Sequence, residues 1–332
     1  MKYKNIGDIL LSTSLINELK RIYPDSVIDY ATNKFCKGVI VKNSAINHIY
    51  TEDFLSVVTL IFKRYDLIIT LSEGDRTFYT ALFSRARKKI GFSPKNKFFN
   101  FVLDTHIKRL FPLHTAQIDL QPLQLIGYMP KDAIVSSTWD DNDEYMIDSI
   151  LKELNIDNFV VIHPVSRWMF KCWRDEYFAE IIDYIQGVKK TKVFITASDN
   201  HEERKKVKSI ISHCKTEPID LSGVFSLSQL GCLYSKADIF IGVDTAPMHI
   251  AASVNTPVVA LFGSSEPAIW GPWDNLNQQG YAPKAEIQKT PLHTIIQDGF
   301  GEISINKNGE KYNTALFNIT PKIVEQEIDF KL

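Results

Sequence analysis

Along this 332-residue chain, short apolar runs alternate with longer segments in which apolar residues recur every three or four positions. The runs lie at 27–31, 66–71, 159–162, 192–196, 238–241 and 257–262. Their length and β-branched content suit buried strands. Segments 9–22, 174–185 and 202–211 between them carry helical periodicity. Strand–helix alternation of this kind predicts an α/β protein, with parallel sheets covered by helices on both faces. A polar, turn-forming stretch interrupts the pattern: Met129-Pro130-Lys131-Asp132, then Ser136-Ser137-Thr138, then the acids Asp140, Asp141, Asp143 and Glu144. It predicts a first α/β domain over 1–138 and a second over 139–332, the second opening with a helix from about 144 to 154. The tail, 319–328, reads as a short helix capped by Thr320, with Pro321 in its first turn. Two such domains are expected to bind a ligand in the cleft between them, at the carboxyl ends of the strands.

Composition narrows the class of activity. With 45% hydrophobic and 23% charged residues, the core needs no staple. A net charge of -1 makes no electrostatic case for nucleic acid, and no nucleic-acid motif is present. Cys36, Cys172, Cys214 and Cys232 form no CxxC pair and no zinc spacing, which leaves four reduced thiols. The early apolar run Ile9-Leu10-Leu11 is too short for a secretory signal, and no stretch of 18 apolar residues occurs. The expectation is a cytoplasmic protein, with peripheral membrane contact open. No internal repeat, GxGxxG, P-loop, GxSxG or HExxH pattern occurs, which speaks against nicotinamide enzymes, P-loop ATPases, serine hydrolases and zincins.

Four segments carry candidate chemistry. In 239–263 a strand ends at Gly242-Val243, Asp244 stands at its carboxyl end, and Thr245 is placed to cap a helix beginning at Ala246-Pro247. The free amides of such a helix start attract a diphosphate, and the Asp244 carboxylate can accept hydrogen bonds from sugar hydroxyls. Plain capping is the competing reading, and His249 reads equally as a packed side chain or a ligand contact. In 161–173 a strand ends at His163-Pro164, and its loop brings Ser166, Arg167 and Lys171. Arg167 by a forked contact and Lys171 as a point charge can neutralise phosphate oxygens and stand in for a divalent cation. The competing reading is a solvated loop anchored by Trp168 and Trp173. Near the amino terminus, Asp8 follows Gly7 at the start of a helix. It reads either as a general base or as a carboxylate that complements the helix dipole. Lastly, Arg85, Arg87, Lys88, Lys89, Lys95, Lys97, Lys108 and Arg109 interleave with Phe92, Phe98, Phe99 and Phe101. This stretch is either a solvated face or a surface for an anionic acceptor or membrane, with Arg85, Arg87, Lys88 and Lys89 as the acceptor-binding candidates.

Several of these segments resemble the ADP-heptose:lipopolysaccharide heptosyltransferases, glycosyltransferase family 9. They are Ile6-Gly7-Asp8-Ile9-Leu10-Leu11 with a helix ending Tyr23-Pro24, Glu73-Gly74-Asp75-Arg76, Lys89-Ile90-Gly91-Phe92, the stretch from His163 to Trp173, and the block from Gly242 to Ala252 followed by Thr256 to Gly263. The Ser166-Arg167-Trp168 and Lys171-Cys172-Trp173 version is most similar to the heptosyltransferase III branch. The resemblance implies a GT-B fold, two Rossmann-like domains facing a central cleft, with the acceptor on the first and the nucleotide-sugar donor on the second. It implies inverting transfer with no obligatory metal or cofactor. ADP-heptose would be the donor, and the acceptor the lipopolysaccharide inner core at the inner-membrane face. Under it Asp8 is the catalytic base. Lys171, helped by Ser166 and Arg167, binds the diphosphate, Asp244 holds heptose hydroxyls, and Thr245, Ala246 and the next amides cradle phosphate. His249 matches the motif without an assigned role. Family members carry an apolar strand ahead of the Gly-Asp segment. Here only Met1-Lys2-Tyr3-Lys4 stand there, so either the real start lies upstream or the first domain is short of a core strand. An epimerase or transferase of the same fold for another nucleotide sugar, and an inactive binding module, fit the same pattern.

Overall fold

The computed structural model describes residues 1–305, 309 and 311–332. The chain divides into two compact units, Met1–Thr138 and Trp139–Leu332.

The first unit contains α1 (Ile6–Leu11), α2 (Thr13–Ile22), β1 (Ile28–Ala31), β2 (Ile46–Tyr50), α3 (Phe54–Phe62), β3 (Arg64–Thr70), α4 (Asp75–Phe83), β4 (Arg85–Phe92), β5 (Thr105–Ile107) and α5 (Thr115–Ile118). β1 and β2 pair in parallel, and so do β3, β4 and β5. The first two residues join the two groups. The Met1 amino group donates to the Ile69 carbonyl (2.8 Å), the Leu71 amide donates to the Met1 carbonyl (2.9 Å), and the Lys2 amide donates to the Ala31 carbonyl (2.9 Å). Met1 and Lys2 therefore occupy the place of the central strand, and the ladder runs on through them. Counting them as the first strand gives the Rossmann order, third-second-first-fourth-fifth-sixth, with the reversal between Met1-Lys2 and β3. The helix expected over 9–22 is divided at Ser12, whose hydroxyl donates to the Ile9 carbonyl (2.7 Å) and lies 2.6 Å from the Tyr30 hydroxyl. Side-chain bonds of this kind compete with the helical ladder.

The second unit contains α6 (Asp141–Leu154), β6 (Phe159–His163), α7 (Asp175–Gly187), β7 (Lys192–Ile195), α8 (His201–His213), β8 (Ile219–Asp220), α9 (Leu227–Ser235), β9 (Ile239–Val243), α10 (Ala246–Ser253), β10 (Val258–Phe262), α11 (Pro267–Trp270), β11 (Gln288–Lys289), β12 (His293–Gln297), β13 (Ile303–Ile305), β14 (Lys311–Asn313), α12 (Thr314–Asn318) and α13 (Pro321–Asp329). Its main sheet runs β11-β12-β10-β9-β6-β7-β8, parallel throughout except for β11. Without β11 this is again the Rossmann order, now reversing between β6 and β9. Every residue of β6, β9 and β10 is buried. Covering on both faces is why these strands read as unbroken apolar runs. Val160, Ile162, Ile239 and Ile241 meet Phe178 and Ile182 of α7 in one core. α6 begins at Asp140, whose carboxylate accepts from the Asp143 amide (3.1 Å), and ends at Asn155 in the left-handed region (φ 53°). Thr320 holds the cap position of α13, but its side chain makes no capping bond, contrary to expectation; Pro321 alone marks that helix start. Among the described residues no helix is long and apolar enough to cross a membrane.

Candidate functional site

In an open parallel sheet, the two strands flanking the reversal send their following loops apart and leave a crevice at their carboxyl ends. In the second unit those strands are β6 and β9. His163 and Gly242 stand in register there, and a Cβ on Gly242 would lie 2.8 Å from the His163 carbonyl oxygen and 2.9 Å from the Phe240 ring. Glycine is what lets the strands approach this closely. β6 runs out through Pro164 into the loop that carries Lys171, and β9 runs out into Asp244. The Lys171 ammonium donates to Asp244 Oδ2 at 2.6 Å and to the Ser265 hydroxyl at 3.1 Å. The Ser265 hydroxyl also bonds that same carboxylate oxygen. Ser265 follows β10, and the Gln297 amide at the end of β12 donates to its carbonyl (3.2 Å). Four neighbouring parallel strands thus each deliver one group to a single cluster. The Lys171–Asp244 pair is partly open to solvent, at 26% and 10% side-chain exposure, so an incoming anion has access to the ammonium.

The other expected donor residues surround this cluster in different states. Ser166 is buried, and its hydroxyl accepts from the Trp168 amide (3.2 Å) within the loop. Arg167 is exposed, its guanidinium 5.9 Å from the centre of the Trp168 ring. Trp173 anchors the loop: it is buried, and its indole donates to the Ile319 carbonyl (3.0 Å). Trp168, read as a second anchor, is instead 57% exposed. Thr245 does precede α10, but its side chain makes no cap bond, and its hydroxyl donates back to the Val243 carbonyl (3.3 Å). The backbone at Thr245 is extended, as is usual at that position, but with the hydroxyl bonded to Val243 the amides from Ala246 onward meet no side-chain cap from it. A helix start of that kind favours an anion. His249 is buried within α10. Burial also pushes the His163 imidazole down to about 3, so it is neutral near pH 7; its Nδ1 lies 3.1 Å from the Thr196 hydroxyl. His163 therefore adds no positive charge at the strand ends, where Lys171 does.

The reversal in the first unit marks a second place. Asp8 is the third residue of α1, and its Oδ2 accepts from the Asn5 amide at 3.4 Å, a long bond in a capping-box arrangement. A cavity of about 250 Å³ opens between the end of the Met1-Lys2 segment and the start of α4, lined by Tyr3, Lys4, Ser72, Arg76, Thr77 and Lys95 among others. Arg76 donates to Asn33 Oδ1 (2.9 Å) and lies over the Tyr3 ring.

The basic candidates Arg85, Arg87, Lys88 and Lys89 lie on β4, where alternation puts Arg85, Arg87 and Lys89 on one side and Lys88 on the other. Lys89 donates to the Ala81 carbonyl (2.7 Å) and Lys88 to the Leu125 carbonyl (3.3 Å); Arg87 lies 3.6 Å from Asp66, and Arg85 stands over the Phe62 ring.

The sequence profile of glycosyltransferase family 9 (heptosyltransferase) matches residues 58–291. The chain belongs to glycosyltransferase family 9. It is 31% identical to lipopolysaccharide heptosyltransferase 3 of Escherichia coli strain K12, over 86% of this chain and 87% of that protein. A second E. coli lipopolysaccharide heptosyltransferase 3 is 30% identical over 81% of this chain and 84% of its own length. Among solved structures, a family 9 glycosyltransferase from Veillonella parvula superposes with a TM-score of 0.80 at 18% identity, covering 99% of this chain and 94% of that one. The E. coli ADP-heptose lipopolysaccharide heptosyltransferase II superposes with a TM-score of 0.74 at 20% identity, covering 99% and 98%. These likenesses give the family 9 chain its GT-B fold, and membership makes it a glycosyltransferase. The matched span contains Lys171, Asp244 and Ser265; Asp8 precedes it.

Proposed function

We propose that this family 9 enzyme transfers heptose from ADP-L-glycero-D-manno-heptose to the inner core of lipopolysaccharide, as a heptosyltransferase III. The observation that carries the reading is the Lys171–Asp244–Ser265 cluster beside the start of α10, in a chain 31% identical to a lipopolysaccharide heptosyltransferase 3. The second unit takes the donor. Lys171 and the first amides of α10 receive the two phosphates, and their fixed positive charge stabilises the diphosphate as it departs. Arg167, exposed at the rim, reaches an outer phosphate oxygen. Asp244 and Ser265, already bonded to Lys171, offer acceptors to heptose hydroxyls. The first unit takes the acceptor. Asp8 removes the proton from the attacking hydroxyl, the oxygen bonds to the anomeric carbon on the face opposite ADP, the bond from that carbon to the β-phosphate oxygen breaks, and ADP leaves with the electron pair. General-base help of this kind contributes roughly 10²–10⁴-fold in rate. A lipid-anchored acceptor places the work at the inner face of the inner membrane, with the protein held there peripherally.

The test is product mass. Lipopolysaccharide lacking the side-branch heptose, incubated with the protein and ADP-heptose, gains one heptose with the wild type and none with Asp8→Asn. An unchanged mass with ADP-heptose, alongside a gain from a different nucleotide sugar, overturns the donor assignment.

A further inference from the structure

The first unit has an inverted helix. α3 has the sequence Phe-Leu-Ser-Val-Val-Thr-Leu-Ile-Phe, with no charged residue, yet only Leu60 is buried. At about 100° per residue, Phe54, Leu55, Val58 and Phe62 fall within one arc of roughly 100° on the side opposite Leu60. That arc is the outward one: Phe54 is 85% exposed, Leu55 73% and Phe62 66%. α4 packs beside α3 and turns Tyr79 and Phe83, one turn apart, to solvent. Beyond α4, the 3₁₀ turn Lys97–Phe101 continues the surface: Phe99 meets Tyr79 edge-on at 4.9 Å and the exposed Phe98 at 5.4 Å, and Phe98 in turn meets the exposed Phe101 at 5.7 Å. A helix apolar on all sides normally lies inside a protein, and a contiguous apolar surface of this kind marks a contact site.

The charges around this surface say what covers it. Arg64 and Arg85 are register partners on β3 and β4, both exposed, and Arg85 stands 5.9 Å from the centre of the Phe62 ring. Like charges side by side on neighbouring strands destabilise a sheet, and an anionic surface relieves that repulsion. On the other flank Lys95 and Lys97 are exposed next to Phe98. Of the nearby acids, Asp66 pairs with Arg87, while Asp53 caps α3 by accepting from the Ser56 amide (2.9 Å) and keeps its negative charge, leaving Arg64, Arg85, Lys95 and Lys97 in excess on the flanks. Exposed aromatics bordered by cations suit the boundary between acyl chains and anionic headgroups.

The geometry points to the outward face of α3, α4 and residues 97–101 as the surface on which the first unit docks onto an anionic phospholipid bilayer. The inference deepens the peripheral association proposed above by naming its surface. It is tested without any sugar, so its failure and that of the transfer reading are distinguishable.

The experiment is flotation of the full chain with vesicles. The wild type is expected to float with phosphatidylethanolamine–phosphatidylglycerol vesicles, less so at high salt, and not with phosphatidylcholine alone. The double variant Phe54→Ser/Phe62→Ser should lose at least about tenfold in partitioning, and Arg64→Glu should lose binding while keeping the aromatic face. These side chains are exposed, so circular dichroism should match the wild type; Phe98→Ser gives a second aromatic variant independent of α3. The inference is overturned if the wild type ignores anionic vesicles, or if the folded aromatic variants float as well as the wild type. It is also overturned if sedimentation shows a dimer that Phe54→Ser/Phe62→Ser dissociates, since a second copy then covers the face.

Discussion

At the scale of single residues, the donor site depends on how one ammonium is shared. Lys171 bonds both Asp244 and Ser265, and Ser265 bonds Asp244 in turn, so the serine fixes where both charged groups stand. Ser265→Ala removes that link and leaves the ion pair to hold itself. The expected result is a loss of about tenfold in kcat/KM, the size of one hydrogen bond to a charged group, measured by ADP release in the presence of acceptor. An unchanged kcat/KM would mean that the serine only packs. Lys171 and Asp244 were legible because a polar loop with two cations and a lone carboxylate each follow an apolar run that ends in Pro or at Gly242-Val243. Ser265 and Gln297 were not. They approach the site because β10 lies beside β9 and β12 beside β10, and sheet order is not written in local pattern. For the four β4 cations, strand alternation keeps Arg85, Arg87 and Lys89 on one side and puts Lys88 on the other, which their clustering in sequence does not show.

At the scale of elements, the first sheet depends on two residues. Met1 and Lys2 keep the ladder between β1 and β3 continuous, and Lys2 then buries its ammonium against Asp119 at 2.5 Å, with exposures of 1% and 0%. Removing one partner of such a pair leaves an uncompensated charge. Lys2→Met should lower stability by about 3–5 kcal/mol in denaturant unfolding, and adding Asp119→Asn should recover part of the loss. No recovery would show that Lys2 matters for packing and not for charge. The alternation of apolar runs and amphipathic segments was enough to read β6, β9 and β10, which are covered on both faces. It missed β4, whose first five residues include four cations, and the short strands β2, β5 and β8. It also missed that Met1 and Lys2 lie at the place of the central strand, because two residues carry no period.

At the scale of the whole molecule, the two units can be followed separately. All five tryptophans, Trp139, Trp168, Trp173, Trp270 and Trp273, lie in the second unit, so indole fluorescence reports its unfolding. Burial holds His163 at about 3 and His293 at about 4, against 6.5 for a free imidazole. Both values are depressed, so the unfolded chain binds more protons between those limits. The stability that comes from keeping the rings neutral is present above 6.5 and is lost as pH falls toward 4. Each histidine should cost about 2 kcal/mol between pH 7 and pH 5; His163→Leu should flatten the dependence, and an equally steep slope in that variant would place its origin elsewhere. The central claim is that donor phosphates are held by Lys171 in the second unit while Asp8 in the first serves only the acceptor. Equilibrium binding of ADP to the wild type, Lys171→Ala and Asp8→Asn tests this most directly. The account predicts at least about tenfold weaker binding for Lys171→Ala and wild-type affinity for Asp8→Asn. Undiminished binding by Lys171→Ala, or lost binding by Asp8→Asn, would contradict it.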